Sequence, residues 1–176
     1  ANEKLFWGGI STIEQEARWS PNGKWVAFVG GDSYESGELQ LHLINSKGKE
    51  HKVLTDIKKG IVKGPSWSPD SQNILFEIRQ PKKSISTLHI MNIETGITKR
   101  LTSTEHGMYV QAEWAPDGGA ILVVERDKID QARSDLWVLD IDHIDHRRRI
   151  TNTPKGETMP VWGLNGKYVI YSRPVG

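Results

Sequence analysis

The chain of 176 residues contains no cysteine, which removes disulfides and thiolate chemistry and is compatible with any compartment. It also lacks an excess of either charge: 23 Lys and Arg stand against 22 Asp and Glu, a formal net charge of +1. No global field therefore draws the chain to nucleic acid or to an anionic membrane, and neither is expected as a partner. Long apolar runs are missing too. The longest aliphatic stretch, Ala120-Ile-Leu-Val-Val124, is far short of the roughly 18 to 20 residues that cross a bilayer, so no membrane span is expected. The opening residues, Ala1-Asn-Glu-Lys4, show no charged region followed by an apolar one, and read as a processed or trimmed start. What the chain does have is tryptophan.

Four of its seven tryptophans, Trp19, Trp67, Trp114 and Trp162, stand 48, 47 and 48 residues apart, each inside one short phrase. The phrases are Ala17-Arg-Trp-Ser-Pro-Asn-Gly23, Pro65-Ser-Trp-Ser-Pro-Asp-Ser71, Ala112-Glu-Trp-Ala-Pro-Asp-Gly118 and Pro160-Val-Trp-Gly-Leu-Asn-Gly166. Chemically each phrase is a strand end and a tight turn. Pro21, Pro69 and Pro116 preset φ, Asp70, Asp117 and their Asn counterparts bond back to the backbone, and Gly accepts positive φ.

An extended run follows every turn: residues 24–29, 73–78, 120–125 and 167–172, rich in β-branched and aromatic residues. A third run recurs at 38–45, 86–92 and 134–140, in which Leu41 and Leu43, Leu88 and Ile90, and Leu136 and Val138 alternate onto one face. A fourth run ends each unit in an aliphatic residue and Thr, at 51–55, 98–102 and 148–151. Each repeat therefore reads as a four-stranded antiparallel meander of an all-β chain. A sheet of about 45 residues cannot bury both faces alone, so the copies must stack, and radial stacking is the β-propeller.

The succession of Trp67-Ser-Pro-Asp70, an aliphatic strand, Leu88-His-Ile-Met-Asn92 and Arg100-Leu-Thr102 resembles the TolB-like (PD40, or WD40-like) propeller repeat. The resemblance extends over essentially the whole chain as a single domain, residues 1–176. The fourth unit departs from it, with Gly163-Leu164 in place of Ser-Pro. The resemblance implies a non-enzymatic scaffold that binds a protein or peptide, without cofactor or metal, in the periplasm or outside the cell, with a cytoplasmic location left open. It also leaves two other classes open. One is a regulatory propeller module of a larger peptidase, and the other is a lyase-like enzyme acting on carbohydrate.

The count of strands leaves the ring open. Residues 4–7 read as the outer strand of a preceding unit, and the chain stops after the second strand of the last, giving about 3.7 repeats: three full blades and a split fourth. Three completions are consistent with this: further blades in a longer chain, self-assembly of two copies, or closure as a small four-bladed ring.

Catalytic residues are not expected. Ser20 and Ser68 sit inside a repeated turn, as do Asp70 and Asp117. His42, His89 and Trp137 occupy one repeat position and read as a packing slot. His143 and His146 form a single His pair in a charged turn, which falls short of a zinc frame. Binding is expected instead on loops that differ between repeats: the outer-to-inner connections, and those between second and third strands, which emerge on the same face of a propeller. The candidates there are Tyr34, Glu35, Lys58, Lys59, His106, Tyr109, Arg126, Asp127, Arg133 and Glu157.

Overall fold

A computed structural model describes residues 13–31, 38–58, 60–80, 83–104, 107–127, 129–130, 132–154 and 156–174, with the side chains of residues 13 and 14 outside the description. Among these residues there is no α-helix. The first blade comprises β1 (Ile13–Trp19), β2 (Trp25–Gly31), β3 (Glu38–Asn45) and β4 (His51–Val53). The second comprises β5 (Gly60–Trp67), β6 (Asn73–Gln80), β7 (Ile85–Asn92) and β8 (Thr98–Arg100). The third comprises β9 (Met108–Trp114), β10 (Ala120–Arg126), β11 (Ser134–Asp140) and β12 (Arg147–Arg149), and the fourth unit has β13 (Thr158–Gly163) and β14 (Tyr168–Ser172). Strands within each blade pair antiparallel in sequence order. Residues 4–7, read as an outer strand, lie outside the described residues, and β13 and β14 pair only with each other there.

The turn phrases act as their chemistry requires. Ser20 Oγ accepts from the Trp25 N–H and donates to Asn22 Oδ1, and Ser68 Oγ does the same with Asn73 and Asp70. Asp70 and Asp117 accept from the N–H two residues on, in Gln72 and Gly119. The serines and carboxylates of these phrases are thus committed to their own turns.

A second device closes each blade. Regular pairing stops one residue short of the aliphatic–Thr pair, at Val53, Arg100 and Arg149. The threonine side chain then replaces the ladder: the N–H of Leu41, Leu88 and Leu136 donates to Thr55, Thr102 and Thr151 Oγ1, each at 2.9 Å. The residue before each threonine donates its own N–H back to the same leucine's carbonyl, at 2.7 to 2.8 Å. The outer strand is clasped to the third from both sides of one residue.

Burial follows the two-residue period of strands stacked on both faces. In β6, Ile74 and Phe76 enter a core shared with Val29, Leu41, Leu43 and Trp67 of the first two blades, while Leu75 points the other way into a core with Leu88, Trp114, Ile121 and Leu139. The third boundary is thin, with Val110, Val124 and Leu136 as its buried residues. The tryptophans therefore do not share one environment. Trp67 and Trp114 are buried, Trp162 is partly exposed, and Trp19 is 62% exposed. Trp67 donates its indole N–H to Arg18 O of the blade before it, and among the described residues Trp19 has no preceding blade to cover it.

Candidate functional site

Among the described residues, one hollow lies on a blade rim and another at the centre of the inner strands. The first, of 360 Å³, sits on the rim of the third blade, where the loop before β9 meets the loop between β10 and β11. Its lining includes Gly107, Arg126, Asp127, Ile129 and Arg133 from these loops, and Glu125, Asp135, Trp137, Arg147 and Arg149 from the strands beneath. The approach is close enough to require glycine at 107: an added Cβ would lie 2.1 Å from Arg126 O.

The floor of this cleft is an ordered charge network. Arg147 donates to both carboxylate oxygens of Glu125, at 3.4 and 2.6 Å, and to the Tyr109 hydroxyl at 2.8 Å. Its guanidinium lies 3.8 Å from the centroid of the Trp137 ring. Arg149 approaches the same ring at 5.8 Å and pairs with Asp135. Burial, reinforced by the Glu125 charge, pushes the Tyr109 hydroxyl up to about 12. Above this floor Asp127 accepts from the N–H groups of Asp130 and Ile129, which hold its carboxyl below the ordinary range. That turn presents Ile129, 98% exposed, between Arg126 and Arg133.

The second hollow, of 690 Å³, is central. It is lined from all four inner strands, by residues such as Glu16, Lys63, Gly64, Gln111, Glu113 and Met159, and by Glu77, Arg79 and Arg126 from the second strands. Burial raises Glu77 against the pull of Arg79 Nε, 2.9 Å away. Ser86 Oγ lies 2.7 Å from Glu77 Oε1 and 2.5 Å from Tyr109 O, within donating distance of both. Glu113 is likewise raised by burial.

The sequence-based candidates distribute unevenly over these features. Arg126, Asp127 and Arg133 come together at the rim cleft. Lys58 is exposed elsewhere and pairs with Asp56 at 2.6 Å. Tyr34, Glu35, Lys59 and His106 lie outside the described residues. Two placements are corrected. Tyr109 belongs to β9 and is buried, reaching the cleft only through Arg147. Glu157 is completely buried: its carboxylate accepts from Thr151 and Thr153, and its carbonyl accepts from Ser134 Oγ. Both occupy the position five residues before a repeat tryptophan, where the chain turns inward and Ser86 or Ser134 accounts for the backbone carbonyl. Trp137, Arg147 and Arg149 were missed. Their signal was the period of two, which puts Arg147 and Arg149 on one face of β12, with Arg149 directly across from Trp137.

The histidine slot is a packing site. His42 stacks on Phe28 and His51 at 5.0 and 5.2 Å, and His89 stacks on Phe76 at 5.7 Å. Burial pushes His89 down to about 4 and lowers His42 as well. His143 and His146 stack on each other beside the turn that Asp140 closes by accepting from the Asp142 and His143 N–H groups. Among the described residues no group of three or more His, Asp or Glu side chains is placed to share a metal ion.

Residues 11–175 match the family described as TolB beta propeller domain, PD40. The chain belongs to that family. A TolB-type protein from Agrobacterium tumefaciens superimposes with a TM-score of 0.76 at 24% identity, over 94% of this chain and 56% of its own. TolB from Acinetobacter baumannii gives 0.75 at 23%, over 93% and 39%. At these identities the likeness is one of fold. A Bacillus subtilis protein named uncharacterized peptidase YuxL is 40% identical over 63 residues, 36% of this chain and 9% of that protein. The TolB propeller family member described here thus spans about half or less of the length of these relatives.

Proposed function

We propose that this propeller is a non-enzymatic scaffold that holds a protein or peptide partner on the rim of its third blade, in the periplasm or outside the cell. The observation that carries the reading is the Ile129 side chain, 98% exposed between Arg126 and Arg133 above a cleft with an ordered floor. Arginine is among the residue types that carry binding energy at interfaces, and an exposed apolar side chain beside it offers area to bury. The pairing of Arg147 with Glu125 fixes the floor before any partner arrives, which lowers the entropy cost of binding.

Peptides selected on the protein from a random display library test this. Binding by fluorescence anisotropy is expected to weaken about tenfold or more when Ile129→Asp is combined with Arg126→Ala and Arg133→Ala, a loss of roughly 1.4 kcal/mol. Asn22→Ala and Lys47→Ala, on turns at the opposite ends of the strands, are expected to leave binding unchanged. Peptides that respond to the second set and not the first would refute the rim reading.

The 63-residue likeness to the Bacillus subtilis peptidase supports a second reading, in which the propeller is the regulatory module of a larger hydrolase. On that reading the rim faces a catalytic domain in the same protein. Adding the separately made propeller to a hydrolase domain encoded with it would then alter turnover of long peptides more than short ones.

A further inference from the structure

Each inner strand carries a bulge three residues before its tryptophan. Glu16, Gly64, Gln111 and Met159 take φ of 56°, 58°, 52° and 54°, and the register of all four hairpins shifts there. At Gly64 and Met159 the bulge turns the backbone N–H out of its own blade toward the one before. At the first boundary Glu16 Oε2 accepts from the Gly64 N–H, and at the third Gln111 Oε1 accepts from the Met159 N–H at 2.8 Å. The middle boundary interrupts the series. Gly64 has no side chain to offer, and no side chain accepts from the Gln111 N–H among the described residues.

All four bulge residues line the central hollow, and a Cβ built on Gly64 would meet no atom within 4 Å. The interruption is therefore an open notch. Arg79 and Arg126, at the rim ends of β6 and β10, line the same hollow, and Arg126 makes no ion pair among the described residues. Of the carboxyl groups on the lining, Glu77 is paired with Arg79 and Glu113 accepts from the Trp162 N–H.

We propose that the notch at Gly64 binds a carboxylate, which accepts from the Gln111 N–H as the Glu16 carboxylate accepts from that of Gly64. Charge-assisted acceptors are the strongest partners for a backbone donor, and the first boundary uses one in the same geometry. The ligand is a carboxylic acid, either a small free acid or the C-terminal carboxylate of a peptide entering the central hollow. The notch lies on the inner strands and shares only Arg126 with the rim cleft, so the carboxylate inference stands or falls on the Gln111 amide and not on the rim reading.

The test is a titration followed by ¹H–¹⁵N correlation spectra, with acetate, acetyl-Ala-Gly acid and acetyl-Ala-Gly amide as probes. The Gln111 amide is expected to shift saturably with the two acids and not with the amide. A peptide acid that saturates about tenfold earlier than acetate identifies a chain terminus as the ligand, and equal midpoints identify a small acid. Gly64→Gln supplies the acceptor from within the chain, at a φ that Glu16, Gln111 and Met159 already hold, and should abolish the response. Gly64→Ala adds no acceptor and should keep it. A Gln111 amide unmoved by either acid, an equal response to acid and amide in the wild type, or a Gly64→Gln protein that responds like the wild type would each overturn the proposal. The wild-type contrast of acid with amide decides even where the variants fail to fold.

Discussion

Trp67 and Trp19 stand in nearly the same words of sequence, yet one is 7% exposed and the other 62%. Their turns are closed alike, by a serine hydroxyl and an Asp or Asn side chain. What differs is the neighbour. The phrase specifies a local turn, whereas burial of its indole depends on a blade standing before it. Trp67 has the first blade standing before it and is covered by it, whereas Trp19 has no such neighbour among the described residues.

The largest expected effect tests this directly. Trp67→Ala and Trp114→Ala should each lose about 3 to 5 kcal/mol of unfolding free energy, the range for a buried aromatic. Trp19→Ala should change stability by only about 0.5 kcal/mol, as at an ordinary surface position. Equal losses in urea melts would break the comparison.

Glu157→Ala comes next. It strips the acceptor from two threonine hydroxyls in a fully buried position, and a loss of about 2 to 4 kcal/mol is expected in the same melts. Because Glu157 joins the third blade to the last unit, amides of β13 and β14 should lose hydrogen-exchange protection before those of β6 do.

The clasp threonines sharpen the contrast from the other side. Thr55→Val and Thr102→Val each leave one leucine N–H without its acceptor, at about 1 to 1.5 kcal/mol. Thr55 Oγ1 also donates to Gln40 Oε1 at 2.8 Å, so Thr55→Val should be the costlier of the two although its blade is the flanking one. A larger loss for Thr102→Val would show that position along the stack outweighs local bonds.

The smallest effect is read by pH. His89 titrates at about 4 in the folded protein against 6.5 as its ordinary value, so the unfolded chain takes up a proton over this window that the folded chain refuses. Stability should therefore fall as pH drops from about 6.5 to 4, by on the order of 1 kcal/mol from this site once solvent screening of a half-buried ring is allowed for. His42 acts in the same direction. His89→Phe should flatten the slope, and an unchanged slope would place its origin in other groups.

The fold was legible because its signals are repeated and local: a turn phrase, an aliphatic strand, an aliphatic–Thr ending. The inner-strand bulge was not read, since Glu16, Gly64, Gln111 and Met159 share no chemistry and three of them lack the glycine that usually marks positive φ. Pro65 and Pro160, inside β5 and β13 one residue past the bulge, were the available hint, because proline within a strand is confined to edges and bulges. Arg126, Asp127 and Arg133, selected by loop position alone, lie together at the rim cleft. Tyr109 and Glu157 were misplaced because a polar residue near a loop looks solvated until its distant partners, Arg147 and Thr151, are in view. Trp137 was read only as a member of the histidine slot, while the arginines that cover it lie on the next strand.

The acceptors that cross from blade to blade carry a further consequence, for the order in which blades can follow one another. Ser66 and Glu113, just before their tryptophans, accept from the N–H of the next tryptophan, and Glu16 and Gln111 reach the next bulge. These two positions work as an address written on each blade for its successor. The last unit carries Met159 and Val161 there, whose side chains offer no oxygen to accept such a bond. Exchanging the second and third blades in a rearranged gene would leave every turn and clasp intact and still misdeliver the chain, because Glu113 would then face Trp67 and Ser66 would face Trp162.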